Sequence, residues 1–163
     1  MIRMITSFFG SGFLPIAPGS WGSLAALPFA VLIYALSGFW GLLVASILVF
    51  FLGLWAVENF TQGMSDPDLS EIVIDEVAGQ WVALLPLAGG LWWIGSDITI
   101  LPWPGLLFGF LFFRFFDIVK IYPADRFDRL KTPFGVMFDD IIAGIYAGLA
   151  TSILGVLAHI VFL

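Results

Sequence analysis

Residues 39–57 carry no charged side chain, and the first charge beyond them is Glu58. A helix needs about 20 apolar residues to cross the hydrocarbon core of a bilayer. In that medium every backbone polar group must be paired within the chain, so a spanning segment is a helix or part of a closed barrel. Composition agrees: the 163 residues are 61% hydrophobic and only 11% charged, against about 25% charged in a soluble globular domain. The chain therefore reads as an integral membrane protein of the all-α class. The expected architecture is a polytopic bundle of about four to five transmembrane helices, with residues 1–163 forming one domain and no separate soluble part.

The first 22 residues are apolar but broken by Gly10, Gly12, Pro15, Pro18 and Gly19. They read as an amphipathic, interfacial or re-entrant segment that ends in a turn, with Ser20 as a helix N-cap. Residues 24–36 are a short apolar run, marginal for spanning, and residues 39–57 are the clearest membrane helix. A polar connection at 58–71 follows, then an apolar stretch at 77–95 expected to bend at Pro86. A turn at 95–101 and Trp103, suited to the interfacial aromatic belt, lead into a helix at 105–119 interrupted by Arg114 and Asp117. A polar loop at 120–136 precedes the last helix, 138–163, which the pair Asp139 and Asp140 should open. Gly144 and Gly148 form a small-xxx-small pair suited to close helix packing. No cleavable signal peptide is evident at the start.

The cations set the orientation. Lys120, Arg126, Arg129 and Lys131 share one loop and Arg3 lies at the amino terminus, so the positive-inside rule makes that face cytoplasmic. Five crossings gather the amino terminus, 58–71 and 120–136 on this face, whereas four would split them. The polar residues are therefore expected to face the cytoplasm.

Those polar residues carry the chemistry. Asp75 and Glu76 open one apolar segment, Asp139 and Asp140 another, while Asp68 and Asp117 fall on the same face. Ionisable groups at a membrane edge are costly and need water, a cation or a metal. Hard oxygen ligands of this kind suit Mg²⁺, which takes one or two carboxylates plus phosphate oxygens. With no cysteine and a single histidine, His159, zinc is disfavoured, as are thiol and paired-histidine nucleophiles. Arg114, Lys120 and Arg129 can grip a phosphate, although Arg114 could equally pair with Asp117. The turn around Ser20 and Gly22, opening a helix, offers backbone N–H groups to an anion. A formal charge of −6 argues against nucleic acid as a partner. Asp66 and Asp68 imitate the DxD of aspartyl-phosphate phosphatases, but no alternating strands and helices surround them.

Four blocks, in order, cover most of the chain: GSGFLPIAPGSWGS at 10–23, IVIDEVAGQW at 72–81, FRFFDIVKIYPADRFDR at 113–129 and GVMFDDIIAG at 135–144. Together they resemble the bacterial phosphatidylglycerophosphatase A family. The resemblance implies Mg²⁺-dependent hydrolysis of phosphatidylglycerophosphate to phosphatidylglycerol and phosphate, in phospholipid biosynthesis. The positions that match are Asp68, Asp75, Glu76, Arg114, Asp117, Lys120, Asp128, Arg129, Asp139 and Asp140. Two departures are visible: Ile121 follows Lys120 where the family often has proline, and Leu69 replaces a frequent proline or histidine.

The resulting expectation places Asp75, Glu76, Asp139 and Asp140 at the catalytic centre and as Mg²⁺ ligands, with Asp68 or Asp117 completing the set. Arg114, Lys120, Arg129, Ser20 and Gly22 would hold the substrate phosphate. Partners are the lipid substrate and the surrounding membrane lipids, with homo-oligomerisation left open. The competing reading is a small cation transporter or channel lined by the same carboxylates, which requires acids spread through the membrane depth.

Overall fold

The computed structural model describes residues 1–64 and 66–162, and every regular element among them is helical. The order is α1 (Ile2–Thr6), a 3-10 turn (Ser11–Phe13), α2 (Pro18–Phe60), α3 (Ile74–Trp93), α4 (Trp103–Val119), α5 (Ala124–Asp128) and α6 (Pro133–Phe162). The expected terminus of the last helix, Leu163, lies outside the described residues.

Helix α2 starts at Pro18, not at Ser20. Its N-cap is Ala17, in the left-handed conformation (φ 51°, ψ 55°), and proline occupies the first helical position. That position tolerates a missing N–H and favours proline's fixed φ, which moves the start ahead of the serine. Inside α2, Gly38 leaves the helical region altogether (φ 63°, ψ −157°), a conformation open to glycine because it has no Cβ. The chain reverses there. Gly22 of the first arm packs on Val73, and Gly53 of the second packs on Ile74; in a straight helix those two glycines would stand about 45 Å apart. The marginal run at 24–36 is thus the body of the first arm of a helical hairpin.

Helix α3 is the central post, contacted by both α2 and α6 and by α4. It begins at Ile74, so Asp75 and Glu76 fall in its first turn, and it stays helical through Pro86. Trp81 on α3 donates its indole N–H to the Ala26 carbonyl (2.9 Å), fixing the first arm of α2 against it. Glycines set the other contact. The open side of Gly144 faces the Gly79 carbonyl, Gly79 faces the Asp140 carbonyl, and Gly148 faces Pro86. The small-residue pair on α6 therefore lets two backbones touch.

Two expectations fail at the next junction. The loop after α4 contains α5, and α6 starts at Pro133, so Asp139 and Asp140 lie about two turns into α6 instead of opening it. Proline at the start and Thr132, whose Oγ1 accepts the Gly135 N–H (3.1 Å), supply the start signal earlier than the acids do. At the amino terminus, Val73 N–H donates to the Thr6 carbonyl (2.9 Å) and Arg3 pairs with Glu71 (2.6 Å), seating α1 beside the 71–73 strand of chain.

Large apolar side chains cover the outside: Leu32, Leu36, Leu48, Phe51, Ile153, Val156 and Ile160 are all exposed. Two helices, Pro18–Phe60 and Pro133–Val161, are long and apolar enough to cross a membrane.

Candidate active site

Seven carboxylic residues and one lysine line a cavity of about 100 Å³ where α3, α4, α5 and α6 converge: Asp68, Asp75, Glu76, Asp117, Asp128, Asp139, Asp140 and Lys120. All but Asp139 and Asp140, which lie about two turns into α6, are delivered by a helix end or by a connection between helices. Asp75 and Glu76 sit in the first turn of α3, where the helix dipole favours anions. Asp117 lies in the last turn of α4, Lys120 caps that helix in the left-handed conformation (φ 48°, ψ 61°), and Asp128 is the last residue of α5.

The centre of the cluster is tight. One carboxylate oxygen from each of Asp75, Glu76 and Asp140 lies within 4.8 Å of the others. Asp75 Oδ1, Glu76 Oε2 and Asp140 Oδ2 are buried and have no hydrogen-bond partner in the chain. Unpaired buried anions are strongly unfavourable. Three carboxylates this close, each with a buried oxygen lacking a partner, fit a divalent cation with oxygen ligands.

Cations flank this centre. Lys120 Nζ donates to Asp128 Oδ1 (2.5 Å) and to Asp139 Oδ2 (2.6 Å). Burial alone would pull its pKa down, but these two carboxylates outweigh it and raise the ammonium above its ordinary value. Arg114 Nη1 is 2.8 Å from Asp117 Oδ2 and donates to Ser23 Oγ (3.3 Å), whose hydroxyl in turn donates to the Gly19 carbonyl (2.8 Å). Gly19 itself faces the Glu76 carboxylate, with Arg114 Nη1 3.3 Å from the point where a Cβ would stand.

At the rim, Lys131 lies 3.3 Å from Asp66 Oδ2 and 3.7 Å from Asp68 Oδ2. Its pKa is raised, chiefly by its hydrogen bond to Asp66. That of Asp66 is lowered, first by the Asp68 backbone N–H and then by Lys131.

The structure brings together Asp68, Asp75, Glu76, Asp117, Lys120, Asp139 and Asp140. Arg114 stands beside them through Asp117. Arg129 is placed elsewhere: largely exposed, it pairs with Asp125 one turn back on its own helix (2.5 Å). Gly22 packs on Val73, and the Ser20 N–H is already given to the Ala17 carbonyl (2.9 Å). From the proline–glycine turn it is Gly19 and Ser23 that reach the polar cluster. Ser23 is one helical turn beyond Gly19, a spacing that could have singled it out once the helix start was known.

The comparisons agree with the geometry. The family model described as phosphatidylglycerophosphatase A matches residues 4–155. A phosphatidylglycerophosphatase A of Haemophilus influenzae is 37% identical over 147 residues, covering 90% of this chain and 83% of the relative. One from Escherichia coli is 35% identical over 140 residues, covering 84% and 73%. A Bacteroides thetaiotaomicron protein, provisionally named a phosphatidylinositol-3-phosphatase, is 36% identical over 148 residues, covering 88% and 87%. No solved structure matches the chain. A match of this extent makes the chain a member of the phosphatidylglycerophosphatase A family.

Proposed function

We propose that the cavity between α3, α4 and α6 is the place where this chain removes the terminal phosphate of phosphatidylglycerophosphate. The chain is a phosphatidylglycerophosphatase, a phosphoric monoester hydrolase that yields phosphatidylglycerol and phosphate. One observation carries the placement: three buried carboxylates, each with an unpaired oxygen, lie within 4.8 Å of one another beside a lysine and an arginine.

Asp75, Glu76 and Asp140 would hold Mg²⁺, with Asp139 and either Asp68 or Asp117 within reach to complete the set. When bound, the ion supplies Lewis-acid charge to the phosphoryl oxygens and to an attacking water. The remaining work falls to the chain itself. Lys120, held ionised between Asp128 and Asp139, offers positive charge to the entering phosphate. Arg114 offers a second cation, oriented by Asp117 and Ser23.

The same reading has residues 1–163 act as one domain crossing a bacterial inner membrane five times: both arms of α2, then α3, α4 and α6. The cation-rich face, and the site with it, would lie toward the cytoplasm. The clustering of the carboxylates at one end of the bundle supports hydrolysis at a membrane surface over cation transport through the depth.

The test is phosphate release from phosphatidylglycerophosphate in detergent, with Mg²⁺ or EDTA, for the wild type and for Asp75→Asn. The expected result is Mg²⁺-dependent release, lost in a folded Asp75→Asn protein. Wild-type release unaffected by EDTA would remove the metal from the scheme. Phosphatidylinositol 3-phosphate run in parallel tells which of the two lipid classes named among the relatives is preferred.

A further inference from the structure

Gln80 is fully buried on α3 and neither atom of its amide has a hydrogen-bond partner in the chain. An unpaired buried amide is destabilising, and leucine would fill nearly the same volume without that penalty. Glutamine is also among the residues least often found wholly inside a protein. The groups that could use such an amide are close at hand. Glu76 lies four residues earlier, so the two side chains are neighbours on one face of α3, and Glu76 Oε2 is buried and unpaired. Arg114 faces the same open side of Gly19 as Glu76 does, and its Nε–H is likewise buried and unpaired. The chemistry is complementary: a carboxylate that accepts, a guanidinium N–H that donates, and an amide that does both.

We propose that Gln80 is a positioning residue for the site: through buried water its amide N–H braces the Glu76 carboxylate while its carbonyl accepts from Arg114 Nε. This rests on the reading of Glu76 as a metal ligand. The brace limits rotation of Glu76, so that the carboxylate is presented to the cation in one orientation, and it keeps Arg114 at a set distance from that carboxylate. Groups that orient a metal ligand in this way typically change metal affinity 10–100-fold when removed.

The test uses the full chain purified in detergent, stripped with EDTA and titrated with Mg²⁺ alone, with thermal unfolding as the readout. Gln80→Leu removes the amide at nearly constant volume, and Gln80→Met repeats the experiment without a branched side chain. In EDTA both variants should remain folded and unfold close to the wild type, since leucine and methionine fill nearly the volume that the amide side chain occupied. Both should need about tenfold or more Mg²⁺ for half of the Tm rise. Saturating Mg²⁺ should restore most of their phosphate release, a rescue that a general loss of packing would not give. Half-saturation within twofold of the wild type in both variants overturns the role of Gln80 and leaves the metal reading intact. A wild-type Tm that ignores Mg²⁺ overturns both. Failure of both variants to fold overturns it too, because the amide would then be serving the core.

Discussion

Lys120 Nζ lies 2.6 Å from Asp139 Oδ2 on α6 and 2.5 Å from Asp128 Oδ1 on α5, while its backbone closes α4. One ammonium thus joins three helices at the wall of the cavity. Lys120→Met leaves Asp139, almost wholly buried, without its counter-ion and should destabilise the protein by about 2 kcal/mol. The pH dependence has a definite sign. The folded pKa is raised, so the contribution is complete below the unfolded value of about 10.4 and fades as pH climbs from there through the folded value. The stability gap between wild type and Lys120→Met, read by denaturant unfolding in detergent, should be constant from pH 7 to about pH 10 and narrow above it. A gap that is widest in strong alkali would contradict the pairing.

Gly19→Ala should impair the site without unfolding the bundle. The new methyl group would collide with the Glu76 carboxylate and stand 3.3 Å from Arg114 Nη1. Both are side chains that can swing aside, but only by leaving their present positions. Phosphate release should fall by at least tenfold, while unfolding in EDTA shifts by less than about 1 kcal/mol. Unimpaired activity would mean that Glu76 is not needed where it stands.

Arg114→Ala and Arg129→Ala should separate cleanly. Arg114 is buried between Asp117 and Ser23, and its loss should lower phosphate release by about 100-fold, in the range expected for a group stabilising transition-state charge. Arg129 forms a solvent-exposed pair with Asp125, worth about 0.3–0.5 kcal/mol, and its removal should leave kcat/KM within a few-fold. A loss for Arg129→Ala as deep as that for Arg114→Ala would return Arg129 to the phosphate-binding set.

Asp140→Asn should move stability in opposite directions with and without metal. In EDTA it removes one of several like charges held close together, and the Tm should rise. With Mg²⁺ the wild type should gain stability and the variant little or none. Parallel curves for the two proteins would show that Asp140 takes no part in a cation site.

The helical class and the gathering of the acids were legible because both rest on local signals: long apolar runs, and charges confined to their ends. Asp75 and Glu76 were placed correctly on the first turn of α3. The reversal at Gly38 was harder to see, since a glycine among apolar residues reads alike whether it packs or turns. Only contacts made far along the chain, at Val73 and Ile74, reveal the hairpin. Asp139 and Asp140 misled as helix openers because acidic residues favour first turns, whereas Thr132 and Pro133 carried the stronger start signal. Arg129 matched a family block, but its partner is set by the five-residue α5, which the polar loop gave little sign of. Lys120 was expected to face an anion outside the chain, the substrate phosphate or lipid headgroups. Its clamp between two helices depends on tertiary placement that no spacing within one segment encodes.

The contact of Gly144 with the Gly79 carbonyl, and of Gly79 with the Asp140 carbonyl, has a bearing on ionic selectivity. With main chain resting on main chain, the gap between the acids of α3 and those of α6 is set by the scaffold and has little room to breathe. Calcium, which takes longer bonds and more ligands than magnesium, would need that gap to widen, against a backbone-to-backbone contact at Gly79 and Gly144. With Mg²⁺ as the proposed occupant, the glycines would act as a calliper, and phosphate release assayed with Ca²⁺ should show inhibition instead of substitution.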